Sequence, residues 1–276
     1  MIPAGLPVEA SNFGVAAGTA LEAYSAVRRA LDCAALPQQA VIALSAEQFG
    51  PLSRFFWTGT LRYGFITFGE LREAERLADA LGDTQSFNAS AQPGEFSGRV
   101  RDWMYSVRFP STYFGSLVQG RLFGRWSVNH ERLAEVLQAR GFSAYEAGGA
   151  VGLREVRPGF ATTPLQAARF EQTLALLHSR GVGVALMMVP LLQAATQDAA
   201  GEAAYLAYLQ SMTRRFPNVS LLNPAMPHWP APMFADGIHL NGAGARLFTA
   251  RLAACVVAGR LQPGCDLEWH GDAAVR

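Results

Sequence analysis

Residues 234–253, FADGIHLNGAGARLFTARLA, set an acid, Asp236, three positions ahead of a histidine, His239, just before an amphipathic helix. An acid and a histidine so spaced in a loop can both point into one cleft. There the carboxylate would fix the tautomer and orientation of the imidazole as a general base. The same residues have a plainer reading, in which Asp236 and Asn241 are turn and N-cap residues and His239 is incidental. Spacing alone leaves the two balanced.

The remaining chemistry-bearing residues offer less. Cys33, Cys255 and Cys265 show no C-x-x-C and no regular Cys/His ligand spacing, which argues against a zinc site. Buried thiols are the favoured reading, with a Cys255–Cys265 disulfide left open for an exported chain. His130, His178, His228 and His270 have no metal spacing either; His178 is expected on a helix surface, and His228 with Trp229 at the mouth of the cleft. Lys plus Arg number 23 against 22 Asp plus Glu, with no run of five or six like charges, so neither a nucleic-acid footprint nor a polybasic membrane patch is expected. Partners are expected to be neutral or small.

These residues must be positioned by a fold that the pattern of the chain outlines. With 276 residues, half of them hydrophobic, the chain can build one domain around a sizeable core. Short apolar strands alternate with helices, as in a parallel sheet covered on both faces. "SNFGVA" reads as a strand, "ALEAYSAVRRAL" as a helix with Leu21, Tyr24, Val27 and Leu31 on one face, and "QAVIALSAEQF" as a second buried strand. Further on come the helix "PLQAARFEQTLALLHSRG", stopping at Gly181, the strand "VGVALMMVP", the helix "EAAYLAYLQSMTRRFP", the strand "NVSLLNP" and the last helix. The longest apolar run, "VGVALMMVPLL", is too short to span a bilayer, and "MIPAGLPVEASNFG" lacks the basic and apolar regions of a signal peptide.

Residues 50–159 change in composition, crowding aromatics and glycines in "RFFWTGTLRYGFITFG", "RDWMYSVRFPSTYFGSL" and "GRLFGRWSVNHE". This reads as a mostly helical insertion within a single domain, 1–276. A subregion with its own small core is preferred, because aromatics at helical spacing usually pack inward. The alternative is a lid whose Trp57, Trp103 and Trp126 stack on a sugar or acyl group.

In an open parallel sheet, ligands sit beyond the carboxyl ends of the strands, which is where the loop between "NVSLLN" and the last helix lies. "ADGIHLNGAGARLF" resembles the final motif of the SGNH (GDSL-like) hydrolase superfamily, where an Asp-x-x-His pair supplies acid and base of a Ser-His-Asp triad and is followed by "LN..G" and a helix. "NFGVAAGTALEAY" resembles that superfamily's second motif, with Gly18 matching the glycine whose backbone N–H lines the oxyanion hole. Together with "VIALSAEQF" and "MMVP", these segments look most like the branch that includes alginate O-acetyltransferases and the D-alanine transfer protein of teichoic acids.

The resemblance implies a three-layer, flavodoxin-like parallel sheet carrying the insertion. It also implies an esterase or O-acyltransferase acting outside the cytoplasm, in the periplasm or cell envelope, on an acylated carbohydrate, envelope polymer or small ester. A membrane-bound acyltransferase would be its neighbour, and no metal or organic cofactor would be needed. Asp236 and His239 would be catalytic and Gly18 an oxyanion donor.

Two family features do not match. The third motif, Gly-x-Asn, would fall at "LSAEQFG", where Ser45 and Glu47 stand and no asparagine does. The first, a strand ending in Gly-x-Ser, would precede "SNFGVA", and only eleven residues precede Asn12. Ser11 would sit at the wrong end of its strand to substitute. In the strand order 2-1-3-4-5, that first strand belongs between "SNFGVA" and "VIALSAEQF", and its loss would strand buried backbone groups at roughly 1–3 kcal/mol each. The expectation is therefore a serine supplied from upstream, with residues 1–276 alone near background in activity. The rival is a catalytically inactive carbohydrate-binding or scaffold protein of the same fold.

Overall fold

The computed structural model describes residues 7–12, 18–32, 36–53, 56–61, 65–87, 131, 134–135, 137–139, 159–192 and 198–271. Cys33, Trp103, Trp126, His130, residues 13–16 of "SNFGVA" and most of the 50–159 segment lie outside them.

Three strands form a parallel sheet in the order β1 (Gln39–Ile42), β2 (Gly183–Leu186), β4 (Val219–Leu221). Gln39 is level with Gly183 and Ile42 with Leu186, and Val184 pairs with Val219. The strands are shorter than the apolar runs that encode them. "VIALSAEQF" leaves the sheet after Ile42 and winds into a 3-10 turn at Ala46–Phe49, and "VGVALMMVP" gives β2 and then the short β3 (Leu191–Leu192). β3 pairs in parallel with β5 (His228–Trp229).

Side-chain alternation divides the core between the two faces of the sheet. Ala40, Ile42, Val184, Leu186, Val219 and Leu221 pack with α1 (Ala20–Ala30), α3 (Pro164–Ser179) and α4 (Ala199–Arg215). Val41, Ala185, Met187 and Leu222 pack on the other side with α5 (Gly242–Ala254) and the segment around Trp229. The described residues make a mixed α/β structure with small parallel sheets, and α2 (Phe68–Ala80) packs beside α1 and α3.

Local chemistry explains the helix ends. Thr163 caps α3, with Pro164 at its first position, where a missing N–H costs nothing. Gly181, at φ +69°, supplies the left-handed residue that turns the chain from α3 into β2. Thr19-x-x-Glu22, Ser45-x-x-Gln48 and Thr67-x-x-Glu70 are capping boxes. Glu70 also receives Arg28 at 2.8 Å and Arg29 at 2.7 Å, tying α2 to α1.

Trp57 is buried in a third cluster with Phe56, Leu61, Ile66, Leu71 and Ala74, which also takes in Leu21 of α1 and Leu165 of α3. At Trp57 the inward-packed reading of the aromatics holds. The cluster, though, is shared with α1 and α3 and is not private to residues 50–159.

For Cys255 and Cys265 the favoured reading as thiols is corrected: the two form a disulfide, with Cα atoms 5.6 Å apart. Between them, β6 (Val256–Val257) and β7 (Arg260–Leu261) make a hairpin that brings the two sulfurs together. The chain beyond then straps the sheet. Cys265 N–H donates to Leu222 O at 2.7 Å, and Trp229 Nε1–H donates to Leu267 O at 2.8 Å.

Among the described residues no helix is long and apolar enough to cross a membrane.

Candidate active site

The site is assembled at the carboxyl ends of the strands. Asn223, buried just past β4, accepts Met188 N–H at 3.0 Å and donates to Met188 O and Ala225 O. One carboxamide thus ties the ends of β2 and β4 together and fixes where the next loop departs. That loop runs over β5 and a 3-10 turn at Ala231–Met233, then doubles back on itself. Phe234 and Leu240 form an antiparallel bridge, Ala235 N–H donates to His239 O at 2.7 Å, and Asn241 N–H donates to Met233 O at 2.9 Å.

Asp236 and His239 occupy the tip of this closed turn. Asp236 Oδ2 lies 2.7 Å from His239 Nδ1. Its Oδ1 accepts Ile238 N–H at 2.8 Å and His239 N–H at 2.7 Å. The turn reading and the pair reading are therefore both true, one oxygen serving each. Burial pushes the Asp236 carboxyl up, but the bonds from the His239 ring and the two N–H groups outweigh it and hold the group below its ordinary value. An ionised carboxylate can only accept, so the neutral imidazole carries its proton on Nδ1, which leaves Nε2 as the basic nitrogen.

Helix capping is done by a different residue. Asn241 Oδ1 accepts the N–H groups of Ala243 and Gly244 at 3.0 Å each, and its Nδ2 donates to Pro232 O and Phe234 O. The same side chain starts α5 and closes the base of the loop. Gly244 lets the helix dock there: a Cβ at this position would stand 2.2 Å from Met233 O.

Gly18 comes from a different segment of the chain. It is buried ahead of α1 and its carbonyl accepts Gln48 Nε2 at 2.5 Å, which places it beside the end of β1, while the acid–histidine pair hangs from the loop after β4. Ser45 is the N-cap of the Ala46–Phe49 turn, its N–H bonded to Gln48 Oε1 at 2.6 Å, and Glu47 is exposed. The carboxamide beside Ser45 is that of Gln48, whose Oε1 accepts Ser45 N–H and whose Nε2 donates to Gly18 O. The signal for it was the S-x-x-Q capping box.

The other described histidines, His178, His228 and His270, lie outside the pair. His178 is exposed near the end of α3, as expected. His228 bonds Glu202 at 3.2 Å. Trp229 does not line a cleft mouth: it is wholly buried, edge-on to Phe248 at 5.9 Å and tilted against Trp269 at 5.7 Å. An indole there buries more apolar area than any exposed platform would, and its N–H is satisfied internally. His270 is exposed and bonded to Asp266 at 2.6 Å. Among the described residues no group of three or more His, Cys, Asp or Glu side chains is placed to hold a metal ion.

No family model, no curated protein and no solved structure matches the chain.

Proposed function

We propose that the protein is a serine-dependent esterase or O-acyltransferase of the SGNH type, acting on an acylated carbohydrate or cell-envelope polymer, with His239 as general base, Asp236 as its orienter and Gly18 as an oxyanion donor. The observation that carries this reading is the 2.7 Å contact between Asp236 Oδ2 and His239 Nδ1, on a turn whose helix is already capped by Asn241. A loop built only to start α5 has no use for that contact.

The nucleophile in this reading is a serine on a strand upstream of residues 1–276, lying against β1. The ladder supports it. Gln38 O and Ile42 O accept from β2, so by strand alternation the backbone groups of Val41 and Ala43 face the opposite edge. Ala43, at that edge, is exposed.

With a serine in place, His239 Nε2 removes its proton as Oγ attacks the acyl carbonyl, and the Gly18 N–H steadies the oxyanion. The acyl-serine is then released to water or to a sugar hydroxyl. The Cys255–Cys265 disulfide supports an extracytoplasmic site of action, since such bonds persist in oxidising compartments.

The test is hydrolysis of 4-nitrophenyl acetate by the product that includes the upstream serine. His239→Ala should remove nearly all of it, and Asp236→Asn less, because positioned general-base catalysis contributes about 10²–10⁴-fold. Full activity in His239→Ala would overturn the role given to His239, and no hydrolysis by the unmutated product would favour a non-catalytic binding or scaffold protein. Robust turnover by residues 1–276 alone would overturn the upstream nucleophile.

A further inference from the structure

We propose that Gln48 and Glu22 are positioning residues that clamp the Gly18–Thr19 peptide from its two sides and so fix the Gly18 N–H as an oxyanion donor; the clamp rests on geometry, its catalytic purpose on the hydrolase reading above.

The peptide joining Gly18 to Thr19 is held at both polar ends. Its carbonyl, Gly18 O, accepts Gln48 Nε2 at 2.5 Å. Its N–H, on Thr19, donates to Glu22 Oε2 at 2.5 Å. Because a peptide is planar, two such bonds on opposite edges fix the plane itself. The Gly18 N–H belongs to the preceding plane, only the two soft dihedrals of Gly18 away. Glycine is the residue whose dihedrals most need outside restraint.

The orientation of the Gln48 amide is unambiguous. Ser45 N–H can only donate and bonds Oε1 at 2.6 Å, while Gly18 O can only accept, so the nitrogen must face Gly18. Gln48 therefore joins the end of β1 to the segment entering α1, across 30 positions of sequence.

Glu22 is braced in turn. It is about 1% exposed and accepts Thr60 Oγ1–H through its second oxygen, and Leu21 N–H is taken by Gln166 Oε1 at 2.9 Å. Burial pushes the Glu22 carboxyl above its ordinary range in spite of the bonds from Thr60 and Thr19. A buried acid with both oxygens occupied by positioning contacts is poorly placed for proton transfer and well placed to hold a backbone.

The distinguishing variant is Gln48→Glu. It keeps one oxygen for Ser45 N–H and sets the other against Gly18 O, where no donor remains. Glu22→Gln is the conservative control, since its amide can accept Thr19 N–H and donate to Thr60 Oγ1. Amide-resolved hydrogen exchange on residues 1–276 should show Gly18 and Thr19 exchanging about tenfold faster in Gln48→Glu, with Val184 and Leu186 unchanged and Glu22→Gln near wild type. In the serine-containing product, Gln48→Glu should lower kcat on 4-nitrophenyl acetate about tenfold with KM held, a fraction of the 10²–10³ seen when an oxyanion donor is removed outright.

Unchanged exchange at Gly18 and Thr19 would overturn the clamp. Faster exchange with unchanged kcat would overturn its catalytic purpose while leaving the Asp236–His239 reading standing. If the wild-type protein shows no His239-dependent hydrolysis, the hydrolase reading and the purpose of the clamp fall together, whereas the exchange data still report the clamp.

Discussion

Asp236 divides its carboxylate between two tasks: Oδ2 faces His239 Nδ1 at 2.7 Å, and Oδ1 gathers the N–H groups of Ile238 and His239 at 2.8 and 2.7 Å. Backbone and imidazole are therefore oriented by one group, and the ring cannot rotate without breaking the pair. In ¹⁵N NMR of residues 1–276, neutral His239 should carry its proton on Nδ1. Asp236→Asn presents either an amide N–H or a weaker acceptor to that nitrogen, and should shift the population toward the Nε2–H tautomer. An unchanged tautomer in Asp236→Asn would show that the contact does not orient the ring.

The depressed titration of Asp236 has a direction that can be measured. A carboxyl whose folded value lies below its unfolded value adds stability above the ordinary carboxylate range and loses it as pH falls through the folded value. Carboxyl ¹³C shifts should show Asp236 still ionised where ordinary aspartates are half protonated. His239→Ala should move its titration upward, because the ring bond is the strongest of the lowering influences. The group is substantially exposed, so the effect on overall stability should be small.

Gly244→Ala forces a methyl group onto the Met233 carbonyl, a backbone atom that cannot swing aside. Overpacking of this kind costs roughly 1–3 kcal/mol, which lowers Tm by several degrees in a domain of this size. The displacement also falls on the Met233–Asn241 contact that closes the loop carrying Asp236 and His239. Gly242→Ala, whose Cβ would stand 3.5 Å from the Arg246 guanidinium, should be tolerated. Equal Tm values for the two variants would contradict the docking role given to Gly244.

Replacing Cys255 and Cys265 by serine should lower stability by roughly 2–4 kcal/mol, the usual effect of closing a loop of this length. The loss should be felt first in the strap, through Cys265 to Leu222 and Leu267 to Trp229. Trp229 fluorescence should report exposure of the indole before global unfolding. A single coincident transition at the wild-type Tm would remove the strap from any supporting role.

Much of this was legible in the residues themselves. The alternation of apolar runs and amphipathic segments marked α1, α3, α4 and α5 and located three parallel strands, because periodicity and caps such as Thr163-Pro164 and Gly181 act within a few residues of sequence. The Asp-x-x-His spacing marked the pair.

What local sequence could not decide was which long-range partners those side chains meet. Asp236 could have served the turn alone until its second oxygen was seen to meet His239 Nδ1. Trp229 could have lined a cleft until Phe248, Trp269 and Leu267 were seen to enclose it. Cys255 and Cys265 could have stayed thiols until the β6–β7 hairpin brought them together, and Gln48 met Gly18 only because the turn at Ala46–Phe49 folds against the segment entering α1. Capping and periodicity depend on neighbours three or four residues away, which a sequence specifies directly. A hydrogen bond across 30 positions, or an indole closed in by 38, depends on how whole elements pack, and only the folded chain determines that.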